Sequence, residues 1–232
     1  MIGIYDYTVI LTYLSMISGC TGIIISMSGV GHPYVGALFL MVSGLCDAFD
    51  GRVARSKKNR TQLEKNFGVQ IDSMSDLIAF GVLPVAIGIA MLRSSTIFTD
   101  RPYWVTEQKY EWYPILLAAI GVFYVLAGLI RLAYFNATED IRNKEAEEKG
   151  SQYFTGLPIT TASLVFPLIL IIHYYVRFDF SIVYFVMMFI VAVLFLGGFK
   201  IKKPGKTGIL IQVAVGAIEF IMIVGILLAN FV

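Results

Sequence analysis

The sequence predicts an all-α fold, a polytopic helix bundle that lies in a membrane. Three observations predict it. Of the 232 residues, 57% are hydrophobic and only 15% charged, where a soluble domain carries nearer a quarter charged residues. The mean hydropathy is +0.76. The apolar residues come in long blocks rather than at amphipathic spacing, and a block of ~20 is what a helix needs to cross a hydrocarbon core of ~30 Å.

Seven such blocks follow in order. The first, 8–28, lacks a basic leader and is too long for the apolar core of a cleaved signal, so it is expected to stay as a span. The second, 34–54, is apolar until Asp47 and Asp50, and the third, 70–92, opens with Asp72 and Asp76. A far-side loop, 93–111, mixes both charges and with Trp112 is expected to form an interfacial cap, Trp104 and Trp112 being its aromatic anchors. The fourth block is 112–135. The segment 136–156, with "EDIRNKEAEEK", reads as a short solvated helix. Blocks 157–176, 180–198 and 207–231 complete the set. They use most of the chain, so residues 1–232 are expected to form a single integral membrane domain.

Charge orients it. The three connections on the side of Asp47–Asp76 carry 13 of the 18 basic residues, against Arg93, Arg101, Lys109 and Arg177 opposite. The positive-inside bias therefore places the aspartates at the cytoplasmic face of the cell membrane. Lys57, Lys58 and Arg60 are expected to face anionic headgroups. Cys20 and Cys46 make neither a metal motif nor a disulfide framework. Glu219, near the middle of the last block, needs a partner or a proton. No nucleic-acid partner is expected.

The stretch 46–76, CDAFDGRVARSKKNRTQLEKNFGVQIDSMSD, carries the chemistry. Asp47 and Asp50 at i, i+3 share one helix face, and Asp72 with Asp76 at i, i+4 share another. A short basic loop makes the two helices antiparallel neighbours, so four carboxylates converge at one depth. Asp72 alone could merely favour a helix N-terminus, but four acids at these spacings need cations among them. Hard divalent ions take oxygen ligands, and Mg²⁺ commonly binds through few carboxylates plus substrate phosphates. Gly51 allows close approach of a ligand, and Arg55 one turn later can bind phosphate oxygens as a fork.

These residues resemble the signature of the CDP-alcohol phosphotransferase family, D-x2-D-G-x2-A-R, a spacer, then G-x3-D-x3-D. Here it reads Asp47, Asp50, Gly51, Ala54, Arg55, Gly68, Asp72 and Asp76. The spacer between Arg55 and Gly68 is twelve residues, 56–67, where the family usually has about eight, and the surplus is expected to form one more helical turn. The segments "GVQIDSMSDLIAFGVLP" (68–84), "RLAYFNAT" (131–138) and "FTGLPIT" (154–160) are similar to the phosphatidylserine synthase subgroup and its archaeal counterpart. "LTYLSMISG" (11–19) is similar to a family segment that usually has Asn where this chain has Ser15.

The resemblance implies a homodimer with a six-helix core, here about 8–198, so that 207–231 would be an addition. It implies a pair of divalent ions, Mg²⁺ or Mn²⁺ with Ca²⁺ as an option, held by Asp47, Asp50, Asp72 and Asp76. It implies contacts from Asp47, Gly51, Ala54, Arg55 and Gly68 to the CDP group. For Lys57, Lys58 and Arg60, contact to that group is the lesser alternative to facing headgroups. The donor would be CDP-diacylglycerol or CDP-archaeol among the membrane lipids, the acceptor L-serine and the products a phosphatidylserine-type lipid and CMP. Asp76 is the expected base. Arg131, the one basic residue well inside a block, could take the serine carboxylate, with Asn136, Thr155 and Gly156 as weaker candidates for that pocket. A covalent path is disfavoured, because His32 and His173 fall near the opposite ends of their spans. Two alternatives stay open: another acceptor (glycerol phosphate, inositol phosphate or inositol), and, more distantly, a cation transporter.

Overall fold

The computed structural model describes residues 3–28, 32–95, 112–138, 153–176, 178–202 and 206–231. Helices α1 (Ile10–Met27) and α2 (Pro33–Ser56) pack tightly together. Lipid tails are as apolar as leucine, so helix association in a bilayer relies on close packing and hydrogen bonds. α1 supplies a stripe of small buried residues for this: Thr12, Ser15, Ser18, Gly19, Gly22 and Ser26. A Cβ on Gly22 would lie 2.9 Å from the Phe39 Cβ, so nothing larger fits without movement. Ser43 Oγ donates to the Ser15 carbonyl at 3.0 Å and Ser18 Oγ to the Phe39 carbonyl at 2.8 Å. These bonds set the register between the two helices.

The third span is one continuous rod made of α3 (Gln62–Asp76), a π-helical turn (Leu77–Val82) and α4 (Leu83–Ser94). It starts at Gln62 rather than near 70, because Thr61 and Glu64 form a capping box. Glu64 N donates to Thr61 Oγ1 at 3.2 Å, and Thr61 N to Glu64 Oε2 at 2.7 Å. The surplus spacer residues therefore do extend the helix. At the far end of the π turn, Pro84 has no N–H to offer the carbonyl four residues back. Tyr124 Oη donates to that Phe80 carbonyl at 2.7 Å, and Tyr184 Oη donates to the Pro84 carbonyl at 2.8 Å.

Those two phenols come from α5 (Trp112–Ala137) and α7 (Ser181–Phe195), which pack on each other. Between them in sequence lie β1 (Tyr153–Thr155), a 3₁₀ turn (Ile159–Thr161) and α6 (Ala162–Val176). β1 pairs antiparallel with β2 (Lys200–Lys202). Gly156 turns the chain out of this ribbon at φ +72°, and its Cβ would stand 2.8 Å from the Gly197 carbonyl oxygen, so only glycine suits the position. The last helix, α8 (Lys206–Phe231), leans on α2 and α6. Its inward face buries Glu219, Ile223 and Ile226.

Six helical stretches among the described residues are long and apolar enough to cross a membrane, so the chain reads as an integral membrane protein. The expected block 180–198 yields a helix of 15 residues, about 23 Å at 1.5 Å per residue, because Gly197 and Gly198 lead into β2 instead of continuing the helix. Most of the expected interfacial cap (96–111) and of the charged segment (139–152) lies outside the described residues.

At the basic end, Lys57 Nζ bridges Asp6 Oδ2 at 2.7 Å and Glu64 Oε1 at 2.5 Å. This ties the segment before α1 to the α2–α3 connection. The Lys57 hydrogen bond, with help from Thr8, lowers the Asp6 carboxyl from 3.8 to about 2. A depressed carboxyl stabilises the fold above its unfolded value and loses that contribution as pH falls toward 2. Cleavage of the N-terminal segment by a protease active across acid pH should therefore be unchanged from pH 7 to 5 and rise below pH 4. Asp6→Asn should show the raised cleavage already at pH 7. Equal cleavage of both proteins at pH 7 would show that the bridge does not hold the segment.

Candidate active site

The register of α1 on α2 and the early start of α3 bring the four acids together. One carboxylate oxygen from each of Asp47, Asp50 and Asp72 lies within 4.8 Å of the others. Asp76 stands beside Asp47 at the edge of this trio, and Asp72 beside Asp50. Asp50 and Asp76 are each only 8% exposed. Asp72 sits ten residues after Gln62, well beyond the first turn, so a helix N-terminus does not account for it. Three hard oxygen donors closing on one point are the donor set a divalent cation takes. The residues present fit such an ion.

Thr12 was not singled out from the sequence, and it belongs to the cluster. Its Oγ1 donates to Asp50 Oδ2 at 3.4 Å, and its carbonyl accepts from Ser75 Oγ at 3.2 Å. It thus links α1, α2 and α3 at the acids. The available signal was its place in the small-residue stripe one turn before Ser15.

Gly51, Ala54 and Arg55 lie on the last turns of α2. Arg55 folds back along its own helix, so that a Cβ on Gly51 would be 3.3 Å from its Nη1. Gly68 lies within α3 rather than at its start, and a Cβ there would be 2.7 Å from Nη2 of Arg60. Arg60 reaches over the glycine while donating to the Glu64 carbonyl at 3.0 Å. Among the described residues its Nε is buried without a hydrogen-bond partner. Two guanidinium groups therefore cover the two glycines of the signature. A cavity of about 620 Å³ opens beside Asp47, Asp50, Gly51 and Arg55.

The weaker candidates lie on α5 and in the β ribbon. Arg131 is buried, donates through Nε to the Leu157 carbonyl and lies over the Phe135 ring at 5.8 Å. It thereby fastens the segment that leads into α6. Asn136 Nδ2 donates to Ser73 Oγ at 2.8 Å, next to Asp72. Thr155 pairs with Lys200 in the ribbon, and Gly156 makes the turn already described. Arg131 ties α5 to the segment before α6 and Asn136 ties it to α3 beside Asp72, whereas Thr155 and Gly156 serve the ribbon. His32 precedes the first residue of α2 and stacks on Tyr34 at 4.9 Å. It is fifteen residues from Asp47 along that helix, or about 22 Å. His173 Nδ1 sits 2.8 Å from the Phe178 carbonyl, in the last turn of α6.

The chain is 35% identical over 162 residues to a CDP-diacylglycerol–serine O-phosphatidyltransferase of Saccharomyces cerevisiae, covering 66% of this chain and 50% of that one. It is 30% identical over 155 residues to an archaetidylserine synthase of Methanothermobacter thermautotrophicus, covering 67% and 53%. A CDP-diacylglycerol–serine O-phosphatidyltransferase of Helicobacter pylori is 30% identical over 135 residues, or 58% and 45%. The chain spans about half the length of the curated relatives it matches. No solved structure matches it significantly. The family model for CDP-alcohol phosphatidyltransferases matches residues 8–197, which include all four aspartates, both glycines and Arg55. With that match over most of its length, the chain belongs to the CDP-alcohol phosphatidyltransferase family.

Proposed function

We propose that the protein transfers a phosphatidyl or archaetidyl group from a CDP-linked lipid to the hydroxyl of L-serine, releasing CMP at the cytoplasmic face. The observation that carries this is the carboxylate trio of Asp47, Asp50 and Asp72, with Asp76 set beside it. The trio would hold a divalent metal, Mg²⁺ or Mn²⁺, which when bound neutralises charge on the diphosphate and the departing CMP. Gly51, Ala54 and Gly68 add little bulk at the CDP group, and Arg55 and Arg60, which lie over the two glycines, supply forked donors to its phosphates.

Asp76 accepts the proton of the acceptor hydroxyl. Its place beside the trio rather than within it suits that role, since a base needs an oxygen free to receive the proton. The new oxygen–phosphorus bond forms at the phosphorus bearing the lipid alcohol as the bond to CMP breaks. No covalent enzyme intermediate is needed, and neither histidine lies at this end of its helix. Serine is preferred over phosphorylated acceptors for two reasons. The relatives carry that activity in their names. The serine-side candidates on α5, Arg131 and Asn136, bring one cation between them, where an acceptor phosphate would call for several. The apolar inner end of the cavity, with Met41, Val42, Phe220 and Ile221, gives no polar path for a transported cation.

Purified protein in detergent should release CMP from CDP-diacylglycerol and Mn²⁺ when serine is added. Inositol, inositol phosphate and glycerol phosphate should give less than about a tenth of that rate, and excess chelator should stop release. Release with glycerol phosphate alone would overturn the serine assignment while leaving the family chemistry intact.

A further inference from the structure

The cavity beside the acids has a composition that changes with depth. At its outer end stand Asp47, Asp50, Arg52 and Arg55 from α2, with the hydroxyls of Thr160 and Thr161 opposite. At its inner end only Met41, Val42, Phe220 and Ile221 remain. Along α2 the lining runs from Arg55 to Met41, about 21 Å at 1.5 Å per residue. A space with charged and polar groups toward one end and apolar side chains at the other matches an amphiphile with a phosphate head.

The wall facing α2 is built by α8, through Gln212, Val213, Gly216, Ala217, Phe220 and Ile221. This helix begins at Lys206, beyond the region matched by the family model, which ends at residue 197. Small residues face each other across the space: Gly44 and Ala48 on α2, Gly216 and Ala217 on α8. The α8 backbone is close to α6 here, since a Cβ on Gly216 would be 3.3 Å from Leu164 Cδ2. The width of the apolar part is therefore set by how little side chain α8 presents.

We infer that α8 is the chain-selecting wall of the site: Ala217 and Phe220 line the channel that receives a hydrocarbon chain of the CDP-lipid donor. This rests on the proposed donor and names a part of the protein that recognises its tail. The charged mouth is continuous with the residues assigned to CDP, so the occupant is the tail of the molecule whose head lies there. Ala217 is exposed to this space rather than packed in the core, so a larger residue there narrows the channel without disturbing helix contacts.

The test is binding to the full-length protein in detergent with Mn²⁺, using CDP, CDP-dioctanoylglycerol, CDP-dioleoylglycerol and dioleoyl phosphatidic acid. Ala217→Phe should lower the ratio of long-chain to short-chain CDP-lipid affinity at least about tenfold. Phe220→Ala, which adds no bulk, should lower it about threefold by removing contact with the chain. Affinity for CDP is the reference in each protein. An unchanged ratio while CDP still binds would overturn the assignment of α8 and leave the headgroup site standing. An equal loss of affinity for phosphatidic acid would show that the channel holds any bilayer lipid, and would also overturn it. Failure of wild-type protein to bind CDP at all would remove the donor reading itself, and the tail channel with it.

Discussion

Asp50→Asn is expected to cost the protein its metal and, with it, at least about a thousandfold in CMP release. Asp50 is the acid through which the cluster is held together. It is buried, it meets Asp72 across the α2–α3 interface, and it receives the Thr12 hydroxyl at 3.4 Å. Changing even an outer partner of a metal ligand costs about 10–100-fold in affinity or activity, and removing a charged ligand from a trio costs more. Asparagine keeps the shape and an oxygen for Thr12, so the helices should stay in register. Titration with Mn²⁺ followed by electron paramagnetic resonance should show affinity weakened by about 100-fold or more. Wild-type Mn²⁺ affinity in this variant would exclude Asp50 as a ligand.

Asp76→Asn should give a different pattern. Removal of a general base costs about 10²–10⁴ in rate, and nothing else in the proposed chemistry needs the Asp76 charge. CMP release should fall by about that factor, while Mn²⁺ and CDP-lipid affinities stay within about threefold of wild type. An amide can still hydrogen-bond Asp47, so the local geometry has a substitute partner. Normal turnover would remove Asp76 as the base. Loss of metal binding equal to that of Asp50→Asn would place Asp76 among the ligands instead. The two substitutions together separate holding the ion from moving the proton.

Much of this site was legible because its spacing is local. Asp47 with Asp50 and Asp72 with Asp76 each share a helix face by arithmetic, and a short connection forces the two helices to be neighbours. The start of α3 was placed too late because residues 62–67 are polar and a search for apolar blocks passes over them. The capping box of Thr61 and Glu64 was present in the sequence and marks the true start. The placement of Arg60 over Gly68 depends on the added turn of α3, which carries the glycine beneath it. Thr12 and the α8 wall depend on contacts between residues far apart in the chain, which periodicity cannot supply. Span 180–198 came out shorter because two glycines and a strand follow Leu196.

The wide turn at Leu77–Val82 directly follows Asp76. A π turn carries one residue more than the α-helical turn it replaces, so it shifts everything beyond it by about 100° around the axis. The rod is thereby split into two sections whose rotational phases are independent. The acid-bearing section can point at α2 while the section below it keeps Leu83, Ile87 and Met91 in the protein interior. Tyr124 and Tyr184 act as pins at the joint. Aim of the acid-bearing face and packing of the deeper section are thus set on either side of one turn in a single span.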